Sequence, residues 1–414
     1  MTSIGLQAVG TQVYKDGRPF RHIGVNHFSL CVREFYSLGI PNPGLGADLD
    51  AIAARGIKVI RVGFGFTNYA NWRDYYYNAQ ANYWATLDRV MDAMAARGIC
   101  CIANMGWNLF AFSQLSYLST GTTQGMNRLA DKTSGLYALF AGYVTAFVTR
   151  YRNHPAVGAW QFGNETSANY GNEMYPTWKL DGTGTDGGGL PLSTKNDWGT
   201  KPEGGTYAPG DKMSFADYTR YFGYLRELIY QNDPWARMVI SGDAMGNSFA
   251  VTVRRANSLA ADSRGDWQGS ALTNFQPWLV YREAELPAFC NHIYPLAAKI
   301  GDGQFFSDGD RTVAQHIADS KTWADASGKP FILEEWGATR YNSNVDQVSV
   351  DLATETANFT EALNAIVAND VPLSLVWNWG GDIAGGSEWM RWKLTDQSRT
   401  YQLDAIQAVN AGRT

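Results

Sequence analysis

Residues 83–107 read YWATLDRVMDAMAARGICCIANMGW, and this stretch holds the unit from which the fold is deduced. Tyr83–Arg97 carries an amphipathic helical pattern, Arg97-Gly98 ends it, and the run Ile99–Asn104 that follows is apolar without alternation. Glycine just past a basic last turn is a common helix stop. An unbroken apolar run marks a strand covered on both faces, as in a parallel sheet.

Outward from this unit the same pairing repeats. Apolar runs occur at His22–Asn26, Ile57–Val62, Ile99–Asn104, Val157–Gly163, Met238–Ser241, Phe289–Ile293, Phe331–Glu335 and Leu373–Trp377. Helical patterns lie at Ala47–Arg55, Tyr83–Arg97, Gly135–Arg152, Phe215–Gln231, a weaker Ala250–Ala261, Val313–Ala326, Leu352–Asn369 and Asp404–Ala411. Arg55-Gly56 and Ser327-Gly328 repeat the glycine stop, while Pro155 and Pro234 separate two further helices from the runs after them. Eight runs alternating with eight helices predict an α/β fold, a (β/α)8 TIM barrel. A hairpin precedes it, with Gln12–Tyr14 as one arm, a turn at Asp16-Gly17 and Phe20–Val25 as the other. No composition break marks a linker, so residues 1–414 are expected to form a single domain. Long βα loops are expected at about 105–133, 166–213 and 244–288, on the face where barrel enzymes build their sites.

Composition narrows the function. The chain has 34 Lys+Arg against 39 Asp+Glu, a formal charge of −5, which speaks against nucleic acid as a partner. No apolar stretch approaches the ~20 residues of a membrane span. The 15 Trp, 22 Tyr and 19 Phe exceed what a core alone needs and suggest a flat-faced ligand. The four cysteines are too few for a disulfide scaffold and read as reduced small hydrophobes, in preference to a Cys31–Cys290 bridge. Met1–Phe20 shows neither a basic n-region nor an apolar h-region, so a cytoplasmic enzyme or a trimmed secreted or periplasmic one is expected.

The last residues of each run reach the barrel mouth. They bring Asn26 and His27 from the first, Arg61 from the second, and Asn104 with Trp107 from the third. Asn164-Glu165 comes from the fourth, His292-Ile293-Tyr294 from the sixth, Glu334-Glu335 from the seventh, and Trp377 with Trp379 from the eighth. Any one of these has a structural explanation: a helix cap, a satisfied core histidine, barrel packing. Their joint occurrence at successive strand ends points to chemistry. Glu165 and Glu335 face each other across the mouth. Two carboxyl groups whose environments separate their pKa values can donate a proton and attack an acetal carbon. Arg61 and Tyr294 are expected to favour ionised Glu335, and more apolar surroundings to keep the proton on Glu165. Indole faces stack on sugar rings, and Asn amides bond sugar hydroxyls.

This set resembles glycoside hydrolase family 5, within the clan of retaining β-glycosidases that carry catalytic carboxylates on strands four and seven. Arg61, Asn164-Glu165, His292-x-Tyr294, Glu335 before an aromatic-Gly pair, and Trp377 match that family's motifs, over essentially Gly24–Gly381. The resemblance implies Glu165 as acid/base, Glu335 as nucleophile, Asn164 as partner of the substrate 2-hydroxyl, and Tyr294 as donor to Glu335. Asn104 with Trp107, and the Glu-Glu-aromatic-Gly sequence, are closer to the β-mannanases, so a β-linked saccharide is expected as substrate, with mannan ahead of glucan. The long loops leave open an exo-acting enzyme on short oligosaccharides.

A phosphate-binding lyase or isomerase is the rival from another class, suggested by Gly380-Gly381 and Gly385-Gly386 after the eighth run. Against it, no run ends in a Schiff-base Lys, and an indole-lined mouth suits neutral sugars. A non-catalytic carbohydrate-binding barrel would not need both carboxylates. The five His residues show no zinc spacing, so no catalytic metal is expected; a retaining glycosidase needs no cofactor, and no obligate protein partner is expected. The Gly182–Gly187 G-x-G-x-x-G follows no strand and opens no helix, so it is not a dinucleotide fingerprint.

Overall fold

The computed structural model describes residues 4–36, 43–166, 201–205, 207, 211, 213, 215–242, 285–294, 312–339, 350–380, 393–395 and 397–413. Three short antiparallel strands come first, β1 (Leu6–Val9), β2 (Gln12–Lys15) and β3 (Arg18–Pro19). Eight parallel strands follow: β4 (His22–Asn26), β5 (Val59–Gly63), β6 (Cys100–Asn104), β7 (Val157–Gln161), β8 (Val239–Ile240), β9 (Phe289–Ile293), β10 (Phe331–Trp336) and β11 (Leu373–Val376). Their hydrogen-bonded order is β8-β7-β6-β5-β4-β11-β10-β9, so the last strand pairs with the first. This is the expected (β/α)8 barrel. The seam between β8 and β9 shows no pairing among the described residues.

Side chains of the strands divide between two apolar layers. Ile23, Val25, Ile60, Val62, Cys101, Ala103, Phe289 and Leu333 face outward and pack against the helices. Val59, Cys100, Ile102, Met238, Ile240, Cys290, Ile332 and Leu375 face inward and fill the barrel. That double burial is why the runs lack alternation in the sequence.

The helices Pro43–Ala54, Gln80–Ala95, Gly135–Tyr151, Phe215–Asn232, Val313–Ala326, Leu352–Ala368 and Thr400–Ala411 lie between or after the strands. Side chains cap several of their first turns: Ser134 accepts from the Tyr137 N–H, Asp351 from Thr354, and Thr312 forms a capping box with Gln315. The stop glycines Gly56, Gly98 and Gly328 all take φ between +66° and +69°, the left-handed turn that ends a helix. The expected helix Ala250–Ala261 and most of the 166–213 and 244–288 segments lie outside the described residues.

Two differences from expectation are local. The hairpin's second arm is only Arg18–Pro19, and His22–Asn26 belongs to the barrel alone. The segment after β6, expected as loop, contains short helices at Leu109–Ser113, Ser116–Thr120 and Met126–Ala130. Asn108 starts the first of them by accepting from the Phe110 and Ala111 N–H groups.

The amino-terminal sheet has a position that the sequence did not announce. Leu6 and Val13 join the inner layer, and Leu6 O accepts from the Met238 N–H at 2.8 Å, so the sheet stoppers the N-terminal end of the barrel. All four cysteines are buried and none forms a disulfide. Cys31 sits in the outer layer and Cys290 in the inner one, which explains why they form no bridge. Among the described residues no helix is long and apolar enough to cross a membrane.

Candidate active site

A regular strand cannot turn two consecutive side chains to the same side. β10 does so with Glu334 and Glu335 because its register slips: Leu333 pairs with Asn291, but Glu335 pairs with the next residue, His292. The same slip appears against β11. This β-bulge is the device by which strands re-aim side chains beside a site. It puts two carboxylates into the barrel, Glu334 fully buried and Glu335 4% exposed.

Arg61, on the second barrel strand, answers both. Its guanidinium donates to Glu335 Oε1 at 2.5 Å, Asn164 Oδ1 at 2.6 Å, Gln161 Oε1 at 2.8 Å and Asn26 Oδ1 at 3.3 Å. Its Nε also lies 3.3 Å from Glu334 Oε1. The fork geometry lets one buried cation serve several acceptors, which a Lys could not do. Tyr294 donates its hydroxyl to Glu335 Oε2 at 2.8 Å. Burial holds that phenol well above its ordinary pKa, so it remains a donor.

Glu165 enters from beyond the end of β7. Its backbone is left-handed, φ 46°, and its N–H donates to Gly242 O at 2.7 Å beyond the neighbouring strand. A non-glycine residue in that region is strained, and such residues gather at functional sites. Glu165 Oε1 is 2.9 Å from His292 Nδ1. That Nδ1 is also 3.4 Å from Glu335 Oε2. Carboxyl oxygens of Glu165 and Glu335 come within 4.8 Å of each other, with His292 beside both.

The electrostatics correct two expectations. Burial pushes the Glu335 carboxyl above its ordinary value, and the charge of Glu165 adds to this; His292, Arg61 and Tyr294 pull the other way, as anticipated for the last two. Glu165 does not sit in apolar surroundings, because the His292 imidazole bonds it directly. Burial alone would lower the His292 pKa, but Glu335, Glu165 and Glu334 outweigh it and push the ring up to about 10. At neutral pH the ring is an imidazolium that donates to Glu165.

The remaining expected residues separate into three groups. Trp107 and Trp377 come together, with ring centroids 6.1 Å apart, and Phe28 lies against both at 5.3 and 5.5 Å. The Arg61 guanidinium stands 4.6 Å over the Trp107 ring. Asn104 is a brace: its amide donates to Gln161 Oε1 and Gly163 O and accepts from the Gly106 N–H. Trp379 does not share a face with Trp377. β11 ends at Val376, alternation lapses beyond it, and Trp379 packs into the outer apolar layer. His27, offered by the first run, turns instead to Asp48 and Arg33. Gly381, Gly385 and Gly386 lie outside the described residues.

Sequence reasoning missed Phe28, Gln161 and Glu334. Phe28 follows a strand end by two residues and could have been found there. Gln161 accepts from Arg61 and Asn104 and donates to Glu334 Oε1 at 2.6 Å, a junction that no spacing rule reveals. Glu334 was named at its strand end but given no role, because the resemblance matches Glu335, the residue before the aromatic-Gly pair, to the family's motif.

Two triplets could offer three metal ligands each, Cys290/His292/Glu334 and Glu165/His292/Glu335. In both a carboxylate is already in ionic contact with the Arg61 guanidinium, a fixed positive charge that opposes a cation there.

No protein-family model matches the chain, and no curated protein matches its sequence. Solved structures do resemble it in fold. An endo-1,4-β-mannanase from Rhizomucor miehei is 15% identical with a TM-score of 0.61, covering 99% of each chain. A family 5 glycoside hydrolase mannosidase from the same organism is 14% identical, TM-score 0.61, covering 99% of this chain and 98% of that one. A β-glucanase from Saccharophagus degradans is 14% identical, TM-score 0.51, covering 100% of this chain and 94% of the other. At these identities the likeness is one of fold.

Proposed function

We propose that this chain is a retaining β-glycoside hydrolase acting on a β-linked saccharide, with Glu335 as nucleophile and Glu165 as acid/base. One observation carries the reading: two carboxylates on distant strands approach within 4.8 Å at the C-terminal mouth of the barrel, each with different partners. Retaining enzymes hold their carboxyl groups about 5–5.5 Å apart, too close for a water to stand between them and the sugar.

In the first step the proton held between Glu165 and His292 passes to the glycosidic oxygen as a Glu335 oxygen bonds the anomeric carbon and the leaving alcohol departs. Arg61 and Tyr294 hold the Glu335 carboxylate in place for this attack. In the second step Glu165 takes a proton from water, which displaces Glu335 from the same carbon. The Phe28–Trp107–Trp377 group supplies an aromatic wall for a sugar ring, and Asn164, oriented by Arg61, can meet a ring hydroxyl.

The fold likeness to an endo-1,4-β-mannanase and a family 5 mannosidase, together with Trp107 and the Glu334-Glu335-Trp336-Gly337 sequence, favours β-mannan over β-glucan. We expect Glu335→Gln to lower turnover of mannan or its oligomers by about 10³-fold or more while leaving oligosaccharide binding nearly intact. Turnover at the parent rate would remove Glu335 from the mechanism.

A further inference from the structure

We propose that Glu334, the buried carboxylate that precedes Glu335 on β10, is a positioning residue that fixes both cations of the site, Arg61 and His292. This rests on the glycosidase reading above and assigns a role to a group that the reaction itself does not consume.

The contacts make the case. Glu334 Oε1 accepts from Gln161 Nε2 at 2.6 Å and lies 3.3 Å from Arg61 Nε. Glu334 Oε2 accepts from the Cys290 thiol at 3.0 Å and stands 3.6 Å from His292 Nε2. The last distance is ionic contact rather than a hydrogen bond. That Nε2 is buried and has no hydrogen-bond partner, so the carboxylate behind it is the group it faces. His292 thus has an anion at each end: Glu334 at Nε2, and Glu165 with Glu335 at Nδ1.

The order of these charges gives the consequence. Glu334 keeps a proton on Nε2, which leaves Nδ1 as the nitrogen that exchanges a proton with Glu165. On the other side it anchors the Nε edge of Arg61, so that the two Nη groups reach Glu335 and Asn164. A lone buried carboxylate would be strongly penalised. Here it is matched by Arg61 and the imidazolium, which hold it below its ordinary pKa against the effect of burial. Among the described residues, the titratable groups beside His292 are Glu334 and Glu335 from β10, Glu165 from beyond β7 and the Cys290 thiol from its own strand.

The test is Glu334→Gln in the full chain, which keeps the shape and removes the charge. Taking an anion away from a cation lowers the cation's pKa. The His292 ring, followed by ¹⁵N NMR and assigned with His292→Asn, should titrate about 1–3 units lower than in the parent. The alkaline limb of kcat/KM should move in the same direction, with kcat falling more than KM changes. If the ring and the alkaline limb stay where they are in the parent, the inference is wrong even if activity drops, because a purely structural loss would not move either. Should Glu334→Gln fail to fold, Glu334→Asp, which withdraws the charge by one methylene, should lower the same titration by a smaller step; an unmoved ring would again overturn the role. The NMR readout needs no substrate. Absence of turnover by the parent on mannan, glucan and their oligomers would therefore count against the glycosidase reading alone.

Discussion

Arg61 shows how much of the site hangs on one side chain. It contacts residues of three strands or strand ends, and its planar fork meets Glu335, Asn164, Gln161 and Asn26 together. Arg61→Lys keeps the charge but offers a single ammonium, so most of those contacts are lost. We expect kcat/KM to fall by about 10²-fold, the scale on which a small misplacement of reacting groups acts. Steady-state kinetics check this, and a variant within twofold of the parent would mean that charge alone suffices. At this scale the sequence was informative about identity and poor about contacts. Arg61, Asn164, Glu165, His292, Tyr294 and Glu335 were all identifiable, because strand ends in a barrel converge. That His292 would lie between the carboxylates, or that Asn104 would use its amide on protein partners, depends on rotamers that spacing does not encode.

At the scale of elements, the ends of β7 and β8 are packed so tightly that only glycine fits at position 242. Gly242 has φ +70°, and a Cβ there would stand 2.5 Å from Gln161 Nε2 and 2.6 Å from Gly163 O. Its carbonyl also holds the Glu165 N–H. Gly10 has φ +57° with nothing within 4 Å of a would-be Cβ, so it isolates backbone strain from crowding. Gly10→Ala should cost about 1–2 kcal/mol and leave activity intact. Gly242→Ala adds overpacking of about 1–3 kcal/mol and should depress activity as well, through Gln161 and Glu165. Urea unfolding midpoints with parallel rate assays make the comparison, and equal costs at the two positions would contradict it. Elements bounded by a glycine stop or a cap were legible to within a few residues, as at Gln80–Ala95 and Val313–Ala326. The bulge in β10 was not, because Phe331–Glu335 reads as an unremarkable apolar run ending in acid, and register is a property of the neighbouring strands.

For the whole molecule, burial on both faces left a barrel or a doubly wound sheet, and the count of eight runs alternating with eight helices favoured the barrel. The stopper formed by β1–β3 was only half visible. Its turn at Asp16-Gly17 was evident, but β1 was unseen, and Leu6 entering the barrel is a contact with residues more than two hundred positions away. The central claim is that the two carboxylates at the mouth work by double displacement, and the stereochemistry of the released sugar tests it most directly. ¹H NMR of a mannan or glucan oligomer during hydrolysis should show the β-anomer appearing first, with the α-anomer growing in only by mutarotation. First appearance of the α-anomer would contradict the account.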